Sequence, residues 1–412
     1  MDARFRPLFN QHYSGDLYRR MCALMDERLA TPRFEFRLAE TPLFLPPDLR
    51  GRCERVAHEI LGLIRKPEII AACTRAIPDR FRVPRTDALP HFVAIDLGIA
   101  RAKDGSLEPR LIELQGFSSL YGMQLVQGGI WSEVAASIPG MPERFTPLFS
   151  GLTPETYLDL LRQTVLADAD PEQVILLDLD PAHQKTAPDF HATARLLGVR
   201  AVCVSELVRE GRRLFAPRGP GKGGGLAPVR RILHRVVFDE LDRRPIKMSF
   251  DYRDDLDVAW AAHPNWYWIW SKYTLPFIHH PAAPRTWRLD QVDRLPENLQ
   301  DFILKPIFSY AGRGVQVDLD RALLDGIPEG ERSGYLLQEK VEYAPALLAP
   351  DGAGVKAEIR MMFLRPEASE RIVLAINLVR LSRGKMHGVD HNKGLSWVGS
   401  SVAIWPFGEG SE

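Results

Sequence analysis

The sequence is short of cysteine, of unbalanced charge and of long apolar runs, and each shortage closes off a class of protein. Cys22, Cys53, Cys73 and Cys203 are the only cysteines in 412 residues, with no CxxC pair and no clustered histidines. Zinc sites and redox pairs need such spacing, and so sparse a set suits a reducing compartment. Lys+Arg and Asp+Glu both number 53, so the formal net charge is zero. A protein that coats nucleic acid would show a basic excess, although a zero sum leaves room for a locally positive pocket. No apolar run approaches the roughly 20 residues that span a bilayer. The opening MDARFRPLFNQHY lacks the apolar core of a secretory leader. The expectation is a cytoplasmic protein that engages neither membrane nor nucleic acid.

What is present is an ordinary globular balance, 45% hydrophobic and 26% charged. At about 150 residues per domain the length predicts two or three domains. Residues 1–90 read as a helical N-terminal region. Within it, residues 50–76 repeat apolar residues at helical spacing, interrupted by Pro67. HFVAIDLGIA (91–100) and PRLIELQGF (109–117) read as two strands joined by the turn-like KDGS. VILLDLD (174–180), FHATARLLG (190–198) and VRAVCVSE (199–206) alternate strand, helix and strand, the pattern of a βαβ unit. REGRRLFA (209–216) then closes a small hairpin, and GPGKGGG (219–225) is a low-complexity loop. VRRILHRVVFDELDRR (229–244) is ambiguous in secondary structure. From 301 onward DFILKPI, GVQVDL, YLLQEKVE, EIRMMFL, IVLAINLVRLS and VGSSVAIW predict an antiparallel sheet. The resulting division is 1–90, 91–170, 171–245 and 246–412.

Four groups of residues have chemistry in reach. Lys305 lies on a strand followed by Gly312-Arg313-Gly314. Glycines let a backbone nest approach phosphate oxygens, and a strand lysine supplies a point charge to them; an ordinary hairpin turn has the same sequence. Gln338-Glu339-Lys340-Val341 end an apolar strand that can present backbone groups to an adenine edge, or form a solvated strand end. Glu113 and Gln115 are two apart and share a strand face, which Asp96 can meet across the hairpin. Two carboxylates and an amide oxygen suit a hard cation such as Mg²⁺; the competing reading is a turn cap and a surface ion pair. Lys272, beside the aromatic run NWYWIWSKY, is by itself as readily a packed stem.

Taken together, the strand lysine, glycine loop, Gln-Glu-x-Val strand, Glu358 and Arg360 on a further strand, and the Asp…Glu-x-Gln pair resemble the site of the ATP-grasp family. The acidic pair precedes the lysines, an order similar to the circularly permuted branch that includes glutathionylspermidine synthase and eukaryotic glutathione synthetase. The resemblance covers roughly residues 91–127 and 265–405. It implies an α+β/α/β architecture: an ATP-grasp fold in permuted order, antiparallel sheets clasping ATP, and a small βαβ substrate domain.

It also implies roles. Lys272, Lys305, Gly312, Arg313 and Gly314 would hold phosphates, and residues 338–341 would read adenine. Asp96, Glu113 and Gln115 would hold magnesium, and Arg360 would face the transferred phosphate. Ser118 and Ser119 are candidates for holding the acceptor acid. Gln115 stands where the family usually has Asn, and Ala94 where it often has Arg. Asp390, His391 and Asn392 have no family counterpart and suit a side-chain-braced turn. The implied activity is an ATP- and Mg-dependent carboxylate–amine ligase working through an acyl phosphate, on a small carboxylate and an amine or thiol. A small-molecule kinase and a degenerate scaffold that binds without turnover are the alternatives. A homodimer is the default for a soluble enzyme.

Overall fold

The computed structural model describes residues 2–30, 37–219, 223–244, 246–309, 312–384, 392 and 394–409. The N-terminal helices are α1 (Arg6–His12), α2 (Gly15–Leu29), α3 (Pro47–Ile64) and α4 (Pro67–Thr74), with the short strand β1 (Leu43–Phe44) between the second and third. Ser14 starts α2 by accepting from the Leu17 N–H at 3.2 Å. Pro67 opens α4 rather than kinking α3, because a first-turn proline gives up an N–H that has no helical partner.

Next come β2 (Phe92–Arg101), β3 (Leu107–Gln115), α5 (Tyr121–Ala136), β4 (Phe145–Thr146) and α6 (Pro154–Val165). The middle of the chain supplies β5 (Val174–Asp178), α7 (Ala187–Leu197), β6 (Arg200–Cys203), β7 (Val208–Glu210), β8 (Arg213–Pro217), β9 (Leu226–Val229) and β10 (Arg231–His234). The ambiguous stretch 229–244 thus divides into β10 and a helix, α8 (Phe238–Arg243). After β11 (Ala259–Trp260) and α9 (Trp266–Ile269) follow β12 (Thr286–Arg288), β13 (Phe302–Pro306), α10 (Arg321–Asp325) and β14 (Tyr335–Glu339). The last strands are β15 (Pro345–Leu348), β16 (Gly354–Leu364), β17 (Val373–Ser382), β18 (Gly399–Ser401) and β19 (Ala403–Pro406).

Three sheets position the site. The largest runs β18-β17-β16-β2-β3, with β15 also on β16, and its pairings are antiparallel. The βαβ expectation is met by a parallel sheet, β11-β10-β5-β6, in which α7 joins β5 to β6. A third, antiparallel sheet places β14 between β12 and β13. The expected single antiparallel sheet after residue 301 is therefore divided among three sheets, and β2 and β3 complete the largest of them.

Two expected strands differ. GVQVDL pairs with β13 only where Leu304 and Gln316 exchange N–H···O bonds of 2.9 Å. Left-handed Gly312 and Gly314, at φ 72° and 74°, turn the chain before it, and the Asp320 carboxylate caps α10 after it. VGSSVAIW is two strands in two sheets, with β19 pairing with β1 and β4. Asn392 does brace a turn: its side-chain oxygen accepts from Ser382 Oγ and from the Arg383 and Gly384 N–H groups. Asp390 and His391, and residues 220–222 of the glycine-rich loop, lie outside the described residues. No helix among the described residues is long and apolar enough to cross a membrane.

Candidate functional site

β2 is buried from Phe92 to Ala100, yet it contains a carboxylate, Asp96, that is 0% exposed. A buried charge must be compensated by its neighbours. The facing residue on β16 is Arg360, whose Nε and Nη2 donate to the two Asp96 oxygens at 2.6 Å each. On the other side, Asp96 faces Glu113 of β3, where a bulge follows. Arg360 Nη2 also stands 3.9 Å from Glu113. Arg380 of β17 extends the row, 3.5 Å from Asp96 and 2.7 Å from Glu358, whose other oxygen accepts from Tyr343 at 2.8 Å. Three carboxylates and two guanidinium groups thus share a row across four neighbouring strands.

Sequence reading missed Arg380. Its signal was nonetheless present, because it is the lone charge in the run IVLAINLVRLS.

Two lysines stand close to the Glu113 end of this row. Ser271 starts a turn of 3₁₀ helix at Lys272–Phe277, its Oγ accepting from Tyr273 N at 3.2 Å and donating to Trp268 O at 2.9 Å. That turn holds Lys272, 7% exposed, with its ammonium on the Ser309 carbonyl. Lys305 on β13 is 5% exposed and donates to the Ile112 carbonyl of β3 at 3.0 Å. Gly116 allows the approach of the turn to β3. Its N–H donates to Trp270 O at 2.7 Å, and a Cβ there would stand 2.6 Å from Trp266 O.

Charge shapes the acid–base behaviour. Burial pushes the Glu113 carboxyl up, but Lys272, Arg380, Lys305 and Arg360 together outweigh it and hold it at about 2. Burial lowers the Lys305 ammonium to about 8, with Glu113 pulling it up and Lys272 pushing it further down. At Asp96 burial raises the pKa against the pull of Arg360 and Arg380.

Glu113, Gln115, Ser271, Lys272 and Ser309 line a solvent-open cleft. Phe117, Tyr267, Trp270 and Phe308, with Leu114 and Ile307, line it as well. Lys305 sits behind Glu113. Gln115 Nε2 donates to Glu113 Oε1 at 3.0 Å, which leaves its amide oxygen as an acceptor at the cleft. Asp96 lies behind this surface, with both oxygens on Arg360. No group of three His, Cys, Asp or Glu among the described residues is arranged to hold a metal ion.

The remaining candidates do not line this cleft. Gly312, Arg313 and Gly314 form an exposed turn after β13. β14 is a central strand, not an edge. Gln338 bonds Thr286 at 2.9 Å, and Glu339 pairs with Arg285. The backbone N–H groups of Glu339 and Lys340 donate to Arg285 O and Asp301 O at 2.9 and 2.7 Å, so neither is available to a ligand; Val341 follows at the strand end.

Ser118 and Ser119 are each 2% exposed. Ser118 Oγ donates to His234 O at 3.0 Å, and Ser119 Oγ accepts from Arg235 at 3.3 Å. In this arrangement they tie the β3–α5 loop to the parallel sheet. Arg235 also pairs with Asp189, which accepts from the Leu120 and Met123 N–H groups at the start of α5.

No family model matches the chain, and no curated protein does. Among solved structures, it is similar to a glutathione synthetase-like effector from Globodera pallida in its apo form. The TM-score is 0.57 and the identity 12%, covering 89% of this chain and 94% of that one. A likeness at this identity is one of backbone architecture, and the chain has a glutathione synthetase-like fold.

Proposed function

We propose that the chain is an ATP- and Mg-dependent carboxylate–amine ligase of ATP-grasp type in permuted order. The observation that supports it most is convergence on Glu113 from segments far apart in sequence: Lys272 lines the cleft with it, and Lys305 and Arg360 stand close to its carboxylate behind the cleft surface. Two buried ammonium groups beside a carboxylate kept ionised suit a polyphosphate and its cation.

In this reading Lys272, Lys305 and the Gly312–Gly314 turn neutralise the phosphates, and residues 338–341, at and just beyond the end of β14, border adenine. The oxygens of Glu113 and Gln115 fit magnesium, which uses one or two protein carboxylates with phosphates and waters. When bound, the ion neutralises charge on the phosphate oxygens. Asp96 then has a different part from the metal ligand expected of it: it fixes the guanidinium of Arg360, which with Arg380 faces the transferring phosphoryl group. Ser118 and Ser119 support the acceptor loop. An acid oxygen displaces ADP from the γ-phosphorus; an amine or thiol then displaces phosphate from the acyl carbon and loses its proton.

The occupation of both Asp96 oxygens favours a second reading, a scaffold that binds nucleotide without turnover. Thermal stability with ATP and Mg²⁺ tests the nucleotide site, with ADP, GTP and EDTA as controls. Specific binding at a hundredfold excess over Kd adds about 2.7 kcal/mol. Lys305→Ala should abolish the shift and Glu113→Ala its Mg²⁺ dependence; variants that respond like the parent would remove this site assignment. ADP release with acid–amine pairs then separates ligase from scaffold.

A further inference from the structure

The buried strand β2 contains a glycine, Gly98, at a position where glycine costs backbone entropy and has no side chain to pack. A ring uses the space. A Cβ at Gly98 would stand 2.7 Å from Tyr343 Cε1 and 2.9 Å from its Cζ, so Tyr343 lies directly over this position. Tyr343 arrives from just beyond β14, where a bridge to Ala100 and a 2.9 Å bond from Ala344 N to Ile99 O dock the chain on β2.

The Tyr343 hydroxyl donates to Glu358 Oε2 at 2.8 Å, and Arg380 Nη1 donates to Glu358 Oε1 at 2.7 Å. Gly98, Glu358 and Arg380 are register partners on β2, β16 and β17, so tyrosine, acid and guanidinium form one line across the strands. Burial, and then the charge of Glu358, pushes the Tyr343 phenol well above its ordinary range, so it stays a donor.

We infer that Tyr343 is a positioning residue for Arg380, acting through Glu358; for what Arg380 meets, the inference rests on the ligase reading. Glu358 is 4% exposed, and a buried carboxylate needs partners for both oxygens. With Tyr343 on one oxygen, Arg380 serves the other, and its 3.5 Å contact with Asp96 falls on the same nitrogen, Nη1. Without the hydroxyl, Glu358 draws the guanidinium onto both of its oxygens, in the two-bond geometry that arginine and carboxylate favour, and Arg380 turns in towards β16. The orientation matters because Arg380 is the more open of the two guanidinium groups: its side chain is 36% exposed, and that of Arg360 4%. A ring that only filled the space over Gly98 would serve as well without its hydroxyl.

The experiment compares ATP and ADP, each with Mg²⁺, on the full chain by calorimetric titration. A guanidinium facing the γ-phosphate favours ATP over ADP, and Tyr343→Phe keeps the ring while removing the hydroxyl. That variant should lose at least threefold in the preference for ATP, with ADP affinity unchanged. In an Arg380→Gln background the same substitution should change neither affinity. Gly98→Ala, which displaces the ring from the facing strand instead, should lower the preference as well. A preference unchanged in Tyr343→Phe, an equal loss for both nucleotides, or a loss that persists without Arg380 overturns the inference and leaves the ligase reading standing. So does a parent chain that binds both nucleotides equally. If Tyr343→Phe does not fold, Gly98→Ala is judged by the same criteria. A parent that binds neither nucleotide removes the ligase reading, and this inference with it.

Discussion

Asp96 and Arg360 face each other on neighbouring strands, and the guanidinium donates two parallel hydrogen bonds of 2.6 Å to the carboxylate, both side chains nearly closed to solvent. A paired buried charge is stable only while its partner remains, and removing one partner costs on the order of 3–5 kcal/mol. Arg360→Met would leave Asp96 beside Glu113 and Glu358, with Arg380 as the nearest counter-charge. Asp96→Asn would leave two guanidinium groups with one carboxylate fewer. Each should lower the denaturant midpoint strongly, whereas the double variant should cost less than their sum. A double-mutant cycle by chemical denaturation measures this, and a coupling energy near zero would contradict the pairing.

How legible this site was depends on distance along the chain. Asp96, Glu113 and Gln115 could be placed together because a four-residue turn fixes the register of β2 and β3. Glu358 and Arg360 shared a strand face in the sequence, but nothing local said that β16 would pair with β2 rather than with β13. The pairing of Asp96 with Arg360 was therefore invisible, and Asp96 read as a metal ligand. The same reason hid the placement of β14 between two strands. Ser118 and Ser119 read as candidates for holding the acceptor acid, and their burial against the end of β10 could not be seen because β10 comes more than a hundred residues later. The helix–strand order of the parallel sheet was readable because its periodicity is local.

Lys305 predicts a pH dependence for nucleotide affinity. Its ammonium must be charged to neutralise phosphate, and in the unliganded protein burial brings its pKa down to about 8. Bound phosphate favours the protonated form and raises that value. Affinity for Mg·ATP should therefore be full below about pH 8 and fall as the pH rises above it, by at most about tenfold per unit. Lys305→Arg, which keeps its charge throughout, should flatten the curve. Calorimetric titration between pH 7 and 9.5 checks both, and a parent affinity that is level across that range would oppose a direct phosphate contact.

Acid should destabilise the fold earlier than carboxylates alone would make it do. Burial first, then neighbouring charges, brings His234 down to about 3 and His263 to about 4, and His91 is lowered as well. Their values in the unfolded chain are about 6.5, so on acidification the unfolded state takes up protons first. Stability is complete above about pH 6.5 and declines as the pH falls towards 4, by about 1.4 kcal/mol per unit for each histidine that stays neutral. Melting temperatures between pH 7.5 and 5 should show the decline. His234→Gln, which can keep the 2.9 Å bond to Tyr252, should reduce its slope by one proton's share. An unchanged slope would mean that His234 is protonated in the folded protein.

Two glycines separate backbone geometry from helix propensity. At Gly116 an added methyl meets a main-chain oxygen, Trp266 O, at 2.6 Å, and the hydrogen bond from Gly116 N to Trp270 O prevents retreat. Gly116→Ala should therefore push α9 away from β3 at a cost of about 1–3 kcal/mol, the usual penalty of overpacking. Because Trp270 and Lys272 follow α9 directly, the shift should also reach the cleft and change the tryptophan emission. Gly129, exposed within α5, has nothing within 4 Å of the same methyl. Gly129→Ala should stabilise by about 0.5–1 kcal/mol by restricting the unfolded chain, with emission unaltered. If both variants melted alike, the close contact between the β3 turn and α9 would not be what holds Lys272 over Glu113.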